Sequence, residues 1–254
     1  MLELKNIHYS YKNSGLFSQS ENKVLNDVSV SLESGKSLGI LGISGSGKST
    51  LAKIIAGIYK PNNGEVVFCG KKAVVNKDYM QNIQIVFQDS RASFNPDFSV
   101  YDAISEPMVN AGFDSKKIDE KITELFKRVC LDESILHKKC SMLSGGMLQR
   151  LSIARAMALN PKIIILDEAT SSLDVVVAAE ILKMLKSLQN EFSYIVITHD
   201  LRLVKLFCDE VIVLDGGVVA ERQHVTKELN LTSDIGVKLS NAILKPYPKG
   251  YSKQ

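Results

Sequence analysis

Short apolar runs alternate with segments of helical periodicity along most of this chain. The runs at 37–41, 163–166, 194–198 and 210–214 are "SLGIL", "IIIL", "YIVIT" and "EVIVL". Each has the length of a buried strand, and "EVVF" and "IQIVF" indicate two more strands. Strands that alternate with helices favour an α/β fold with a mostly parallel core sheet.

Three segments between these runs have the periodicity of helices. Residues 49–60 predict a helix that stops at Pro61 and the turn "NNG". Residues 115–129 predict a second helix, with Asp114 or Ser115 as its N-cap. The apolar face of this second helix consists of Ile118, Ile122, Leu125, Phe126 and Val129. The third helix, near 179–189, has Ile181, Met184, Leu185 and Leu188 on one side.

Helical patterns dominate between residues 89 and 158 and interrupt the series of strands. We therefore expect one domain over residues 2–226. Its core is formed by about 2–88 and 159–226, and 89–158 is an inserted helical subdomain. The remaining residues, 227–254, are polar and dotted with lysines, and we expect a C-terminal tail there.

Charge and cysteine usage exclude several classes of protein. The chain has 31 basic and 28 acidic residues, too balanced for the basic stripe of a nucleic-acid-binding protein. The stretch "MLELKNIHYSY" lacks the apolar centre of a signal peptide, and no apolar run approaches the roughly 20 residues that span a bilayer. The four cysteines and four histidines are scattered, which indicates reduced thiols and no metal held by these side chains.

The stretch "GISGSGKST" fits the phosphate-loop pattern G-x-x-x-x-G-K-S/T. Glycines let backbone N–H groups surround phosphates, and the helix that follows directs its positive end at the same anion. Lys48 suits the β and γ phosphates, and the hydroxyl of Ser49 suits Mg²⁺. The nucleotide-binding residues predicted here are Gly42, Ile43, Ser44, Gly45, Ser46, Gly47, Lys48, Ser49 and Thr50.

Polar residues follow three of the predicted strands. Asp167 and Glu168 come directly after "IIIL", at the strand end where ligands bind in open α/β sheets. Since neighbouring strand residues face opposite ways, we expect Asp167 in the Mg²⁺ shell and Glu168 as the general base for the attacking water. Gln88, after another strand, suits Mg²⁺ or that water. His199, after a third, suits a hydrogen bond to the γ-phosphate and orientation of the base.

A second glycine-rich stretch, "LSGGM" at 143–147, precedes "LQRLSIARAMALNPKIIILDEA". With the phosphate loop, "SSLD" at 171–174 and His199, this order of motifs resembles the ATP-binding cassette (ABC) ATPase family over about residues 2–222. The resemblance implies a P-loop NTPase (RecA-like) core sheet, an antiparallel β subdomain and an inserted α-helical subdomain. It implies ATP and Mg²⁺ as cofactors, with Tyr11 near the adenine, although Tyr9 also qualifies.

Two cassettes of this family pack head to tail, so that each ATP lies between the phosphate loop of one and the signature of the other. The resemblance therefore implies that Ser144, Gly145 and Gly146 bind the γ-phosphate held by a second ATPase subunit. Small residues before a helix also suit an anion at its N-terminus. Met147 replaces the usual Gln and Ala169 a frequent Pro, and neither change removes a catalytic group.

The segment "FQDSRASFNP" resembles the dipeptide/oligopeptide/nickel importer group, and "ITHDLRLVKLFCDEV" its nickel-importing members. This implies a peripheral motor at the cytoplasmic face of the cell (inner) membrane. Its expected partners are a paralogous or identical ATPase subunit, two membrane permease subunits and, through the complex, an extracytoplasmic metal-binding protein. We expect no nucleic-acid partner.

Three alternatives to a nickel-import motor stand at this point. The first is the ATPase of a dipeptide or oligopeptide importer, since the motor encodes little of the cargo. A non-transport ABC ATPase is disfavoured, because the chain has no room for a long coiled coil and carries one cassette. A P-loop kinase leaves "LSGGM" and His199 unexplained.

Overall fold

A computed structural model gives the fold for residues 1–14, 19–171, 173–226 and 229–242. Its strands are β1 (Leu2–Ser14), β2 (Gln19–Leu32), β3 (Ser37–Leu41), β4 (Asn63–Phe68), β5 (Lys71–Lys72), β6 (Ile83–Val86), β7 (Ile163–Asp167), β8 (Ser193–Thr198), β9 (Glu210–Asp215) and β10 (Val218–His224). Its helices are α1 (Lys48–Ile55), α2 (Lys77–Asn82), α3 (Val100–Ala111), α4 (Ser115–Val129), α5 (Gly145–Met157), α6 (Val175–Ser187), α7 (Leu201–Phe207) and α8 (Asp234–Asn241).

The core sheet has six strands in the order β10-β9-β3-β8-β7-β6. All neighbours in it are parallel except β10, which pairs antiparallel with β9 at the edge. Alternate residues of one strand enter two different apolar cores: Ile163 and Ile165 lie on one side of the sheet, Ile164 and Leu166 on the other. The predicted α/β fold with a mostly parallel core sheet is confirmed.

A second sheet is antiparallel, in the order β2-β1-β4-β5, and packs over one of these cores. The predicted strand "EVVF" lies here, in β4, and not in the core sheet. Between β4 and β5, Cys69 and Gly70 have φ values of 51° and 76°. Two successive positive φ values make a tight hairpin turn, so β4 turns back antiparallel and makes no crossover into the core sheet.

The helix predicted to run to Pro61 is shorter than expected, because α1 ends at Ile55. Gly57 has a φ of +75°, and a Cβ at this position would lie 2.9 Å from Cγ1 of Val75. The chain therefore leaves the helix through a left-handed glycine, as many helices do. The backbone N–H of Tyr59 then donates to the carbonyl of Lys53 over 3.1 Å, which folds the end of the helix back on itself.

The other two helix predictions are confirmed, with one change of boundary. α4 spans Ser115–Val129, and the side chain of Asp114 accepts from the backbone N–H of Lys117, so Asp114 is the N-cap. α6 begins at Val175, earlier than 179, because Asp174 caps it by accepting from the N–H of Val177.

The segment between β6 and β7 contains α3, α4 and α5, in agreement with a helical insertion. Its apolar faces join the core on one side of the sheet. Residues 229–242 also pack on this core, through Leu229, Leu231 and Ile235, whereas 243–254 lie outside the described residues. The exact division of the chain into domain, insertion and tail stays a prediction. Within the part of the chain that the structure describes, no helix has the length and apolar character needed to cross a bilayer.

Candidate functional site

The phosphate loop lies at the carboxyl end of β3, which has β9 on one side and β8 on the other. Gly47, with a φ of +102°, immediately precedes α1. A Cβ there would lie 2.8 Å from Cδ2 of Leu25 and 2.9 Å from the carbonyl oxygen of Val24. A Cβ at Gly42 would overlap Oγ of Ser46. These two glycines are therefore required by close contacts, and they give the loop its concave backbone.

Lys48 is buried at the start of α1, and its Nζ donates to the carbonyl oxygen of Ile43 over 2.7 Å. Burial lowers the pKa of Lys48, and the nearby carboxylates of Glu168 and Asp167 oppose that shift. Among the described residues, the buried hydroxyl of Ser46 has no hydrogen-bond partner. The loop therefore offers a cation and a free hydroxyl beside the N-terminus of a helix, a combination that suits phosphate.

Asp167, the last residue of β7, and Glu168, just beyond it, occupy different surroundings; the left-handed backbone of Glu168, rather than strand alternation, separates them. Asp167 is buried and accepts a hydrogen bond from the hydroxyl of Ser49 over 3.2 Å. Burial raises the pKa of Asp167, while the bond from Ser49 and the charge of Lys48 oppose that rise. The oxygen atoms of Ser49 and Asp167 form a pair of the kind that Mg²⁺ prefers.

Glu168 has a φ of 47°, a left-handed conformation that costs a non-glycine residue about 1–2 kcal/mol. Its N–H donates to the carbonyl of Ile197 at the end of β8, over 3.0 Å. Its carboxylate lies 3.5 Å from Nδ1 of His199, in the turn that follows the same strand. The strained turn thus brings two candidate catalytic side chains together.

Gln88 reaches the same region from the end of β6. Its Nε2 donates to the hydroxyl of Ser171 over 3.2 Å, and that hydroxyl donates to the carbonyl of Glu168 over 2.9 Å. The first serine of "SSLD" therefore connects Gln88 to the backbone of Glu168. Ser172, the second, lies outside the described residues.

Several of these side chains, but not Ser46, Asp167 or Ser171, line one open pocket of about 640 Å³, within the usual range for small-molecule sites. The pocket is lined by Tyr11, Asn22, Val24, Ser44, Gly45, Gly47, Lys48, Ser49, Thr50, Gln88, Glu168 and His199. Most of the predicted site residues are thus brought together. Sequence reasoning missed Asn22 and Val24, which reach the pocket because β2 pairs with β1, and no motif marks them.

The pocket includes Tyr11, whose hydroxyl lies 3.1 Å from Oγ1 of Thr50 in α1. The ring of Tyr9 is stacked on that of Tyr59, with centroids 5.4 Å apart. This arrangement favours Tyr11 over Tyr9 as the residue beside a bound base.

The second glycine-rich stretch is not part of the wall of this pocket. Ser144 is exposed and is the N-cap of α5, where its hydroxyl accepts from the N–H of Met147 over 3.3 Å. Gly145 and Gly146 form the first turn, and a Cβ at Gly146 would lie 2.7 Å from Cγ1 of Val177. The structure therefore presents a helix N-terminus made of small residues, separate from the chain's own phosphate loop.

The residues present suit a magnesium nucleotide. The loop supplies donors for phosphates, and Ser49, Gln88 and Asp167 supply oxygen atoms suited to a hard cation. The described residues contain no group of three or more His, Cys, Asp or Glu side chains arranged to hold a metal ion.

Comparisons with known proteins agree with this site. Residues 25–171 match the family described as ABC transporter. The chain is 41% identical over 258 residues to the nickel import ATP-binding protein NikE of Escherichia coli, covering 98% of this chain and 96% of that protein.

Two solved structures share the fold. The ATP-binding cassette MJ0796, a dimer bound to ADP and Pi, has 30% identity and a TM-score of 0.78, over 89% of this chain and 99% of that one. The protein cbiO1 from Clostridium perfringens, part of the ABC transporter complex cbiONQ, has 30% identity and a TM-score of 0.76, over 88% of both chains. The predicted family and fold are confirmed: the chain belongs to the ABC transporter family and is an ATPase cassette of such a transporter.

Proposed function

We propose that this chain is the ATP-hydrolysing motor of an importer that takes up nickel or a related transition metal. One observation supports the motor function: residues of the phosphate loop, Glu168 and His199 line a single pocket, and Asp167 is joined to it by the hydrogen bond from Ser49. The assignment of nickel as the cargo rests on sequence similarity, because a relative 41% identical across nearly the whole chain is named for nickel import.

The phosphates of ATP bind to the loop between β3 and α1. Lys48 leaves its contact with the carbonyl of Ile43 and binds the β and γ phosphates. Their charged oxygen atoms are stronger partners for its ammonium group than a neutral carbonyl. Ser49, Gln88 and Asp167 would hold Mg²⁺, which would supply positive charge to neutralise the phosphate oxygens. The base binds against Tyr11 at the other end of the pocket.

Glu168 removes a proton from the water that attacks the γ-phosphate. Its carboxylate is partly shielded, with a side-chain exposure of 20%, and faces the same pocket as the loop. His199, 3.5 Å away, orients this carboxylate and donates to the γ-phosphate. General-base assistance of this kind contributes about 10²–10⁴ in rate.

A second cassette completes each site. Ser144, Gly145 and Gly146 lie at an exposed helix N-terminus outside the chain's own pocket, so they are free to bind the γ-phosphate held by a partner. The partner is a paralogous or identical ATPase subunit. Two membrane permease subunits and an extracytoplasmic metal-binding protein complete the importer, at the cytoplasmic face of the membrane. The cargo then passes through the permeases and needs no ligand from this chain.

Uptake measurements test this function. Cells carrying the wild-type chain or its Glu168→Gln form are given radiolabelled nickel and, in parallel, a labelled dipeptide. We expect nickel uptake alone to fall in the variant. A fall in dipeptide uptake alone would identify a peptide importer, and unchanged uptake of both, with the protein present, would contradict the transport function.

A further inference from the structure

Three tyrosines form a cluster at the base end of the nucleotide pocket. Tyr9 and Tyr11 lie two positions apart on β1 and therefore on the same face of the strand. Tyr59 comes from the segment after α1, which the glycine turn at Gly57 directs back toward β1. The cluster thus joins a strand of the antiparallel sheet to the helix that begins at the phosphate loop.

The geometry of the three rings is well defined. Tyr9 and Tyr59 are stacked with an interplanar angle of 3° and centroids 5.4 Å apart. The ring of Tyr11 is nearly perpendicular to both, at 88° to Tyr9 and 87° to Tyr59, with centroid distances of 5.1 and 6.0 Å. Edge-to-face and offset-stacked arrangements are the favourable ones for aromatic pairs.

Tyr59 is itself fixed by two contacts with α1. Its backbone N–H donates to the carbonyl of Lys53, and the ammonium of Lys53 lies 5.4 Å from the centroid of its ring. That ammonium is within the range of a cation–π contact. These contacts fix Tyr59 relative to α1, and Tyr59 in turn contacts the ring of Tyr11.

A second contact connects Tyr11 to the same helix. Its hydroxyl lies 3.1 Å from Oγ1 of Thr50, in the first turn of α1. The ring that faces the base is thus held at two places by the helix that faces the phosphates. A ring held in this way has less freedom to lose when a nucleotide binds, and that favours binding.

We propose that Tyr59 is a positioning residue for ATP, which holds the ring of Tyr11 at a fixed distance from the phosphate loop. This inference rests on the proposed function of the pocket, and it assigns the base and the phosphates to separate parts of one rigid unit. Tyr59 acts through Tyr11 and is not part of the pocket wall.

The test compares ATP with tripolyphosphate, which has the phosphates but no base, by calorimetric titration of the full chain with Mg²⁺. In Tyr59→Leu, we expect the Kd for ATP to rise about fivefold and the Kd for tripolyphosphate to stay within about twofold. Tyr59→Phe keeps the ring and is expected to bind both ligands like the wild type. In a Tyr11→Ala background, Tyr59→Leu is expected to have no further effect on ATP.

Equal weakening of both ligands would show that Tyr59 only supports the fold, and unchanged ATP binding would show that it has no role; either result overturns the proposal. If Tyr59→Leu does not fold, Tyr59→Met, whose unbranched side chain adapts better to an irregular space, is measured in its place. Failure of the wild-type chain to bind ATP or tripolyphosphate would instead count against the proposed function of the pocket.

Discussion

The hydroxyl of Ser49 lies 3.2 Å from a carboxylate oxygen of Asp167, although 118 positions separate them in the chain. Ser49 is in the first turn of α1, and Asp167 is the last residue of β7. The contact brings two oxygen donors to the edge of the nucleotide pocket. Because Asp167 is buried, its charge is poorly compensated by solvent, which makes a cation at this place favourable.

Asp167→Asn is expected to raise the Mg²⁺ concentration needed for half-maximal ATP hydrolysis by at least about tenfold. The amide oxygen still accepts from Ser49, so the fold is kept, whereas the negative charge that attracts the cation is lost. The measurement is ATP turnover of the assembled complex against Mg²⁺ concentration. Asp114→Asn, which caps the distant helix α4, is the control, and an unchanged Mg²⁺ requirement in Asp167→Asn would contradict the metal assignment.

Gly47→Ala is expected to destabilise the chain more than Gly45→Ala. Both glycines have positive φ, at +102° and +81°, so each alanine adopts a left-handed conformation. Only at Gly47 would the new Cβ collide, with Leu25 and the carbonyl of Val24, whereas a Cβ at Gly45 would meet no atom within 4 Å apart from its chain neighbours, among the described residues. The difference in the free energy of unfolding, measured by urea denaturation, is expected to be about 1–3 kcal/mol. Equal losses would show that the loop adjusts without cost.

Ser144→Asp is expected to abolish ATP hydrolysis by the assembled complex and to leave ATP binding by the isolated chain unchanged. Asp and Asn both replace Ser well as N-caps, so α5 stays intact in either variant. In the proposed shared site, only Asp would place a negative charge beside the γ-phosphate of the partner's nucleotide. Ser144→Asn is therefore the matched control, and it is expected to keep much of the turnover. Loss of the isolated chain's own ATP binding in Ser144→Asp would contradict a site shared between two subunits.

Glu221→Gln is expected to loosen α8 in a pH-dependent way. Partial burial acts to raise the pKa of Glu221, but hydrogen bonds from the backbone N–H groups and hydroxyls of Ser233 and Thr232 outweigh it and lower the pKa to about 2. A carboxylate whose pKa falls on folding stabilises the folded state above its ordinary pKa of 4.5. That contribution is lost as the pH falls from 4.5 toward 2.

The variant is therefore expected to be less stable than the wild type at pH 7, by about 1 kcal/mol after allowance for solvent screening. The difference is expected to shrink as the pH is lowered from 4.5 toward 2, when thermal unfolding is followed over that range. Glu3→Gln, at an exposed ion pair with Lys5, is the control. A stability difference in Glu221→Gln that is constant with pH would contradict the role of the charge.

Local sequence patterns were sufficient to predict the secondary-structure elements that adjacent residues determine. The strand "SLGIL" and the start of α4, with Asp114 or Ser115 as its expected N-cap, both follow from a few adjacent residues; the structure has both, and Asp114 is the cap. The end of α1 was missed because Gly57 is not distinguished by its neighbours in sequence. Its φ of +75° ends the helix, and a Cβ there would lie 2.9 Å from Cγ1 of Val75, in the segment that follows the hairpin of the second sheet.

The residues of the candidate site also fall into those marked by local motifs and those brought in by tertiary contacts. The phosphate loop and the acids after β7 were visible because each is a compact motif after a strand. Asn22 reaches the pocket only through its pairing with Tyr11 across two strands, and Tyr59 reaches Tyr11 only through the glycine turn. Sequence spacing does not predict such contacts, since they depend on how β1 pairs with β2 and packs beside the segment after α1.

The most direct test of the account is Glu168→Gln in the assembled complex. ATP binding is expected to be retained, because the phosphate loop is untouched, and the pair of cassettes is expected to stay closed around ATP. Turnover is expected to fall by about 10²–10⁴, since an amide cannot take the proton of the attacking water. Glu65→Gln, in the antiparallel sheet, is the control and is expected to hydrolyse ATP normally. Turnover near the wild-type value in Glu168→Gln would contradict the central claim that Glu168 is the general base.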